Sequence, residues 1–194
     1  MSTETTKKVA NPGPLGLLGF GMTTVLLNIH NAGLLSLSIT IVAMGICLGG
    51  LAQIIAGVRE LCQGNTFGGT AFTAYGLFWW SLVIIWANPF AGVEAITASG
   101  ADDHLTAMGF YLLMWGLFTA FMFVGTFKHN IATRVVFGSL TLLFLLLALG
   151  DFTGNHTITM IAGFEGIFCG LSAIYSAAGQ ILNAEFGKTI LPLG

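Results

Sequence analysis

Six long apolar stretches run along this 194-residue chain, parted mostly by short polar breaks. A helix needs roughly 20 apolar residues to cross about 30 Å of hydrocarbon. The pattern predicts helices over about 14–29, 36–58, 66–86, 105–127, 132–149 and 157–182. Asn28, His30, Asn31 and Gly33 close the first, and Gly64-Asn65 breaks the chain after the second. Asn88-Pro89 stops the third, because proline cannot continue a helix. The longest connection follows over 88–103, with Glu94, Asp102 and Asp103 and no basic residue.

Charge gives the pattern a direction. Lys7 and Lys8 precede the first stretch, Arg59 follows the second, Lys128 and Arg134 flank the fourth–fifth junction, and Lys188 follows the sixth. Basic residues stay on the cytoplasmic side during insertion. Both termini and two short loops are therefore expected inside. The expected fold is an all-α membrane protein: a cytoplasmic tail over 1–12, a six-helix transmembrane domain over 13–183, and a second cytoplasmic tail over 184–194. Lys7-Lys8 before an apolar run resembles a signal peptide, but no small-residue cleavage site follows, so the first helix is expected to be retained.

Composition excludes most other classes. The chain is 55% hydrophobic and 7% charged, whereas soluble domains carry about a quarter charged residues. Lipid must solvate most of the exterior. A net charge of −2 gives no reason to expect a nucleic-acid partner. Cys47, Cys62 and Cys169 are odd in number and lack paired spacing. His30, His104, His129 and His156 lie in loops or near helix ends without metal-ligand spacing. No cofactor or metal is expected.

Polar residues inside the spans fall on stripes. Gly16, Phe20, Thr24, Asn28 and Asn31 recur at spacings of three or four and share one helical face. A polar stripe facing lipid is costly, so this face should look inward. Thr24 has the simpler fate of bonding its own backbone, and Asn28 that of capping a helix end. The last helix carries Glu165, Cys169, Ser172, Ser176 and Asn183, with Tyr175 and Gln180 nearby. Glu165 reads as the sole carboxylate well inside a span: it either carries a proton or ties two helices together. Gln53, and the stripe Tyr111, Trp115, Thr119 and Thr126, are weaker candidates whose simpler role is bonding between helices.

Three features leave alternatives open. Thr66, Thr70 and Thr73 share a face of the third helix while Tyr75 points roughly opposite. Either Gly68-Gly69 deforms the helix, or Tyr75 lines a pore while the threonines cap and pack. Among 27 glycines, the pairs Gly45/Gly49 and Gly166/Gly170 suit close helix contact within one bundle or between subunits. Trp79, Trp80, Trp86 and Trp115 suit membrane-interface anchoring.

Enzyme signatures are poor. Gly170-Leu171-Ser172-Ala173 is faintly similar to the nucleophile region of rhomboid proteases, but no histidine follows to act as base. No phosphate-cradling glycine loop with a lysine is present.

A family resemblance does emerge. Asn11-Pro12-Gly13-Pro14-Leu15-Gly16-Leu17, leading into Gly19-Phe20-Gly21, resembles the N-terminal signature of the acetate uptake transporter family, which commonly has alanine where Gly13 stands. The match continues through Gly64-Asn65-Thr66-Phe67-Gly68, Ala71-Phe72-Thr73-Ala74-Tyr75-Gly76, Ser172-Ala173-Ile174-Tyr175 and Phe186-Gly187-Lys188-Thr189. The family includes bacterial succinate–acetate permeases and fungal acetate and ammonium-export proteins. The resemblance implies six helices per subunit, a homo-hexamer, and a separate monocarboxylate path in each protomer. It also implies a narrow waist of Phe20, Tyr75 and Leu140, of which only Phe20 falls on a stripe found independently.

No lysine or arginine lies inside a span, although acetate is an anion at neutral pH. A fixed cation would hold carboxylate tightly, whereas conduction needs weak successive sites. Thr24, Asn28, Gln53, Ser172 and Tyr175 suit that need. An interior-negative potential opposes anion entry by about 2.3 kcal/mol per charge per 100 mV, which a co-moving proton removes. The expected function is passage of acetate-like monocarboxylates, with succinate a further candidate, by a channel or a proton-coupled permease in the cell membrane. A urea or short-amide channel and an ammonium path are the nearest alternatives.

Overall fold

The computed structural model describes residues 9–89, 92 and 101–194, with side chains from 103 onward in the last segment. Lys7, Lys8 and most of the acidic connection, Glu94 included, lie outside the described residues. Six long helices follow in order: α1 Gly13–Asn31, α2 Ile39–Cys62, α3 Thr66–Ala87, α4 Ala101–Gly125, α5 Ile131–Thr153 and α6 His156–Phe186. Five are long and apolar enough to cross a membrane. The remaining one, α1, has 19 residues and so spans about 28 Å at 1.5 Å per residue.

Asparagine opens three of these helices. The Oδ1 atoms of Asn65, Asn130 and Asn155 accept the backbone N–H of Gly68, Thr133 and Thr157 at 3.1, 2.9 and 3.0 Å. Each cap satisfies a donor that the first turn leaves free, worth about 1 kcal/mol. α5 and α6 stop at Gly154 and Gly187, whose φ values of 59° and 62° suit a residue without Cβ.

α2 departs from regular α geometry. Gly45–Ala52 forms a π-helical stretch within it. Three carbonyls in and beside the stretch take side-chain donors. Thr23 Oγ1 donates to Met44 O, Trp80 Nε1 to Ile46 O, and Gln53 Nε2 to Gly49 O, at 3.4, 3.0 and 2.7 Å. Nothing in the hydropathy pattern announces this segment, and π-helical turns often mark functional positions.

The glycine pairs pack within the protomer. A Cβ on Gly170 would lie 2.7 Å from Gly21 O, and one on Gly21 would lie 2.7 Å from Gly170 O. The backbones of α1 and α6 therefore touch at this crossing. Gly45 and Gly49 instead make room for the side chains of Val83 and Trp79 of α3. Small residues permit this approach where lipid offers no hydrophobic drive for helices to associate.

Alternating helix direction brings the starts of α1, α3 and α5 and the ends of α2, α4 and α6 to one end of the bundle. Asn11, Glu60, Asn65, His129, Thr133 and Gln180 line one cavity there. Arg59, Lys128, Arg134 and Lys188 belong to that same end. The Arg134 guanidinium donates to the carbonyls of Thr126, Phe127 and His129, closing the α4–α5 turn. The final residues fold back onto the bundle. Asn183 Nδ2 donates to Leu191 O at 2.8 Å, Tyr175 Oη to Pro192 O at 2.7 Å, and Ala132 N to Leu193 O at 2.9 Å.

Candidate functional site

Two cavities lie in line within the bundle. The larger, about 370 Å³, opens at the end that carries the basic residues. The smaller, about 30 Å³, is lined further along by Thr24, Leu27 and Asn28 of α1, Phe78 and Trp79 of α3, and residues of α5. Three residues line both: Phe20, Tyr75 and Leu140. They come from α1, α3 and α5 and are 7%, 4% and 2% exposed. The Phe20 and Tyr75 rings are tilted at 40° with centroids 6.2 Å apart. These side chains form the partition between the two spaces.

Tyr75 is held from behind. Its hydroxyl lies 2.9 Å from Thr119 Oγ1, and Thr119 donates its own proton to Trp115 O at 2.7 Å. Tyr75 is thus the donor to Thr119, and its hydroxyl is anchored on α4. Phe118 meets the ring edge-on at 5.4 Å, and Trp115 and Phe137 pack at 6.2 Å. The question posed by α3 is answered without bending the helix. Tyr75 faces the cavities, Thr66 and Thr70 are exposed, and Thr73 lies against Gly57 of α2.

Thr24, Asn28 and Gln53 are 3%, 2% and 0% exposed. Asn28 Nδ2 donates to Thr24 O at 2.9 Å, and its Oδ1 accepts from Asn31 Nδ2 at 3.0 Å. Thr24 Oγ1 and Gln53 Oε1 are buried without a hydrogen-bond partner. Thr24 and Asn28 line the small cavity, and Gln53 lines the large one. An unpaired buried polar atom is expensive.

Ser172 and Tyr175 sit elsewhere. They line an apolar groove on the outer side of α5 and α6 with Phe168, Ile131 and Leu193. Ser172 Oγ donates to Cys169 O at 2.7 Å, and Tyr175 binds the folded-back terminus. The physical reason is helical phase. Cys169, Ala173 and Ser176 face inward at 0% exposure, whereas Phe168, Ser172 and Tyr175 recur at four and three residues on the neighbouring face. Glu165 is half-buried, its Oε2 is buried without a partner, and it lines neither of the aligned cavities.

Glu60 is the residue that the sequence pattern hides. Because α2 continues to Cys62, Glu60 belongs to its last turn, is 6% exposed and lines the large cavity. Glu60 lies near a helix end, so it adds a buried carboxylate at the cavity mouth without displacing Glu165 as the one placed well inside a span. Asn65 Nδ2 donates to Glu60 Oε2 at 2.7 Å, while Asn65 Oδ1 caps α3, so one side chain opens a helix and orients a carboxylate. A Cβ on Gly13 would come within 3.0–3.5 Å of Asn11 Oδ1, Gln180 Oε1 and Glu60 Oε1. Glycine there leaves room for these oxygens to converge. The polar break Gly64-Asn65 was visible; the continuation of α2 beyond residue 58 as far as Cys62 was not.

Comparison with known proteins agrees with this architecture. The chain is 54% identical to the succinate-acetate/proton symporter SatP of Escherichia coli, over 96% of each chain. It is 41% identical to ammonia transport outward protein 2 of Saccharomyces cerevisiae, over 92% of this chain and 64% of that one. A solved structure described as the bacterial acetate channel SatP superposes with a TM-score of 0.88 at 52% identity, covering 96% of this chain and all of that one. The GPR1/FUN34/yaaH family matches residues 1–192, and the chain belongs to this family of multi-pass membrane transport proteins.

Proposed function

We propose that this protein moves acetate and related small carboxylates, succinate included, across the cell membrane through a path inside each protomer. The observation that carries the reading is the partition. Phe20, Tyr75 and Leu140 floor one cavity and close the other, as a size-selecting waist must. Thr24, Asn28 and Gln53 supply uncharged polar atoms on either side of it, suited to weak transient binding. Similarity to a succinate-acetate/proton symporter and to an acetate channel supports the cargo. No chemical transformation is involved, so the protein is a transporter and not an enzyme.

The large cavity opens at the end rich in Arg59, Lys128, Arg134 and Lys188. By the positive-inside rule that end, with both termini, is cytoplasmic. The family resemblance supports assembly as a homo-hexamer, and native mass spectrometry tests it by reading the copy number. Ser172 and Tyr175, on the outer groove, take no part in the path within the protomer.

Purified protein in sealed liposomes tests the reading. Saturable labelled-acetate flux above empty liposomes is expected, changed by Phe20→Ala or Tyr75→Ala. Flux equal to that of empty liposomes rejects it. A second reading, passage of ammonia or a short amide such as urea, draws on the similarity to a yeast ammonia transport protein and on the unpaired acceptor oxygen of Gln53. Competition of each solute against labelled acetate separates the two.

A further inference from the structure

We infer that Glu60 is a specificity-determining residue of the path: its carboxylate selects solutes by charge in the large cavity, favouring monocarboxylates over dianions of similar length. This rests on the transport reading above and adds selection by charge to selection by size at the partition.

The placement of Glu60 carries the inference. It lines the cavity that leads to the partition, and its two oxygens differ. Asn65 Nδ2 donates to Oε2 at 2.7 Å, and Asn65 is itself fixed by capping α3 through Gly68 N. Oε1 takes no hydrogen bond among the described residues, and it is not sealed away as Gln53 Oε1 is. A Cβ on Gly13 would lie 3.5 Å from Oε1, so a side chain there would cover this oxygen. Among the described residues, no lysine or arginine lines the cavity to balance it. Arg59, Lys128 and Lys188 are exposed, and the Arg134 guanidinium is engaged by the carbonyls of Thr126, Phe127 and His129. The cations therefore stand outside the cavity and the carboxylate inside it.

Coulomb repulsion scales with the product of the charges, so at equal distance a dianion meets twice the repulsion that acetate meets. A cavity between low-dielectric walls focuses that field. A sphere of about 370 Å³ is roughly 9 Å across, near the screening length of about 8 Å in physiological salt. A solute anywhere in the cavity is therefore within reach of Glu60. Besides the Tyr75 phenol at the partition, the other titratable group lining it is His129 of the α4–α5 turn, whose ring packs on Phe67 at 4.7 Å. α1, α3, α5 and α6 contribute the uncharged Asn11, Asn65, Thr133 and Gln180. The partition cannot make this discrimination itself. Phe20 and Leu140 present only apolar surface, and the Tyr75 hydroxyl is turned to Thr119, so together they read width rather than charge.

Succinate and monomethyl succinate test this, because they share a carbon chain and differ by one charge when fully ionised. Labelled forms of both, and of acetate, are followed into liposomes holding wild-type or Glu60→Gln protein, at one pH above the second ionisation of succinate. Empty-liposome leak is subtracted. The amide keeps the side chain's size and an acceptor for Asn65, and the extra methyl of the ester acts alike in both proteins. The wild type is expected to pass monomethyl succinate faster than succinate. Glu60→Gln is expected to shrink that preference about tenfold, and added salt to shrink it in the wild type more than in the variant. An unchanged preference in the variant, or an equal fall for all three solutes, overturns the inference and leaves acetate transport intact. The salt series needs only the wild type: a preference indifferent to salt overturns the inference even where Glu60→Gln fails to fold. Absence of wild-type acetate flux overturns the transport reading itself.

Discussion

The Tyr75 hydroxyl donates to Thr119 Oγ1 across 2.9 Å, and the Thr119 hydroxyl donates in turn to Trp115 O. A ring from α3 is thereby fixed in place by a backbone carbonyl of α4. Thr119→Val removes the acceptor and leaves a buried phenol unpaired, at a cost of about 1–3 kcal/mol. The expected result is a lower melting temperature and a larger ratio of longer monocarboxylate flux to acetate flux. Thr119→Ser restores both. An unchanged ratio in Thr119→Val would show that the anchor does not set the aperture.

Leu140 separates the two cavities from the α5 side and is 2% exposed. Leu140→Ala joins them and costs about 2–5 kcal/mol of stability. Longer carboxylates should then compete with labelled acetate more effectively than they do in the wild type. Competition constants across a chain-length series check this directly.

Asn65 caps α3 and orients Glu60. Asn65→Ala loses both bonds, and a loss of about 1–2 kcal/mol is expected. Thermal unfolding in detergent reads it. A melting curve identical to that of the wild type would mean that water replaces both interactions fully.

The contact between Gly21 and Gly170 leaves no space for a methyl group on either helix. Gly170→Ala should push α1 away from α6, lowering stability and acetate flux together, since α1 carries Phe20, Thr24 and Asn28. Parallel measurement of melting and flux tests the coupling.

Ser172→Ala is expected to leave acetate flux unchanged, because its hydroxyl bonds to Cys169 O and faces the outer groove. A marked fall in flux would return Ser172 to the pathway.

Much of this was legible in the chain. Apolar stretches and Asn or Gly breaks located the six helices, since each break carries its own capping or turn chemistry. The α1 stripe brought out Phe20, Thr24 and Asn28, because a polar stripe on a membrane helix has to face inward. Leu140 needed the family resemblance, and Tyr75 was one of two readings left open by its helix: aromatic and leucine residues of the proposed waist look like ordinary packing until the helices are assembled. On α6, rotation of about 100° per residue puts Ser172 and Ser176 only about 40° apart on the helical wheel, close enough to share a polar stripe yet on different walls. Glu60 was missed because an arginine beside it reads as the end of a span, although the helix continues.

The π-helical segment of α2 makes the register of this helix a designed quantity. Removing a single residue between Gly45 and Ala52 would let the coil tighten to ordinary pitch, turning everything after it by about 100°. Gln53 and Glu60 would swing off the large cavity together, so homologues that differ here by one position should line that cavity with different side chains.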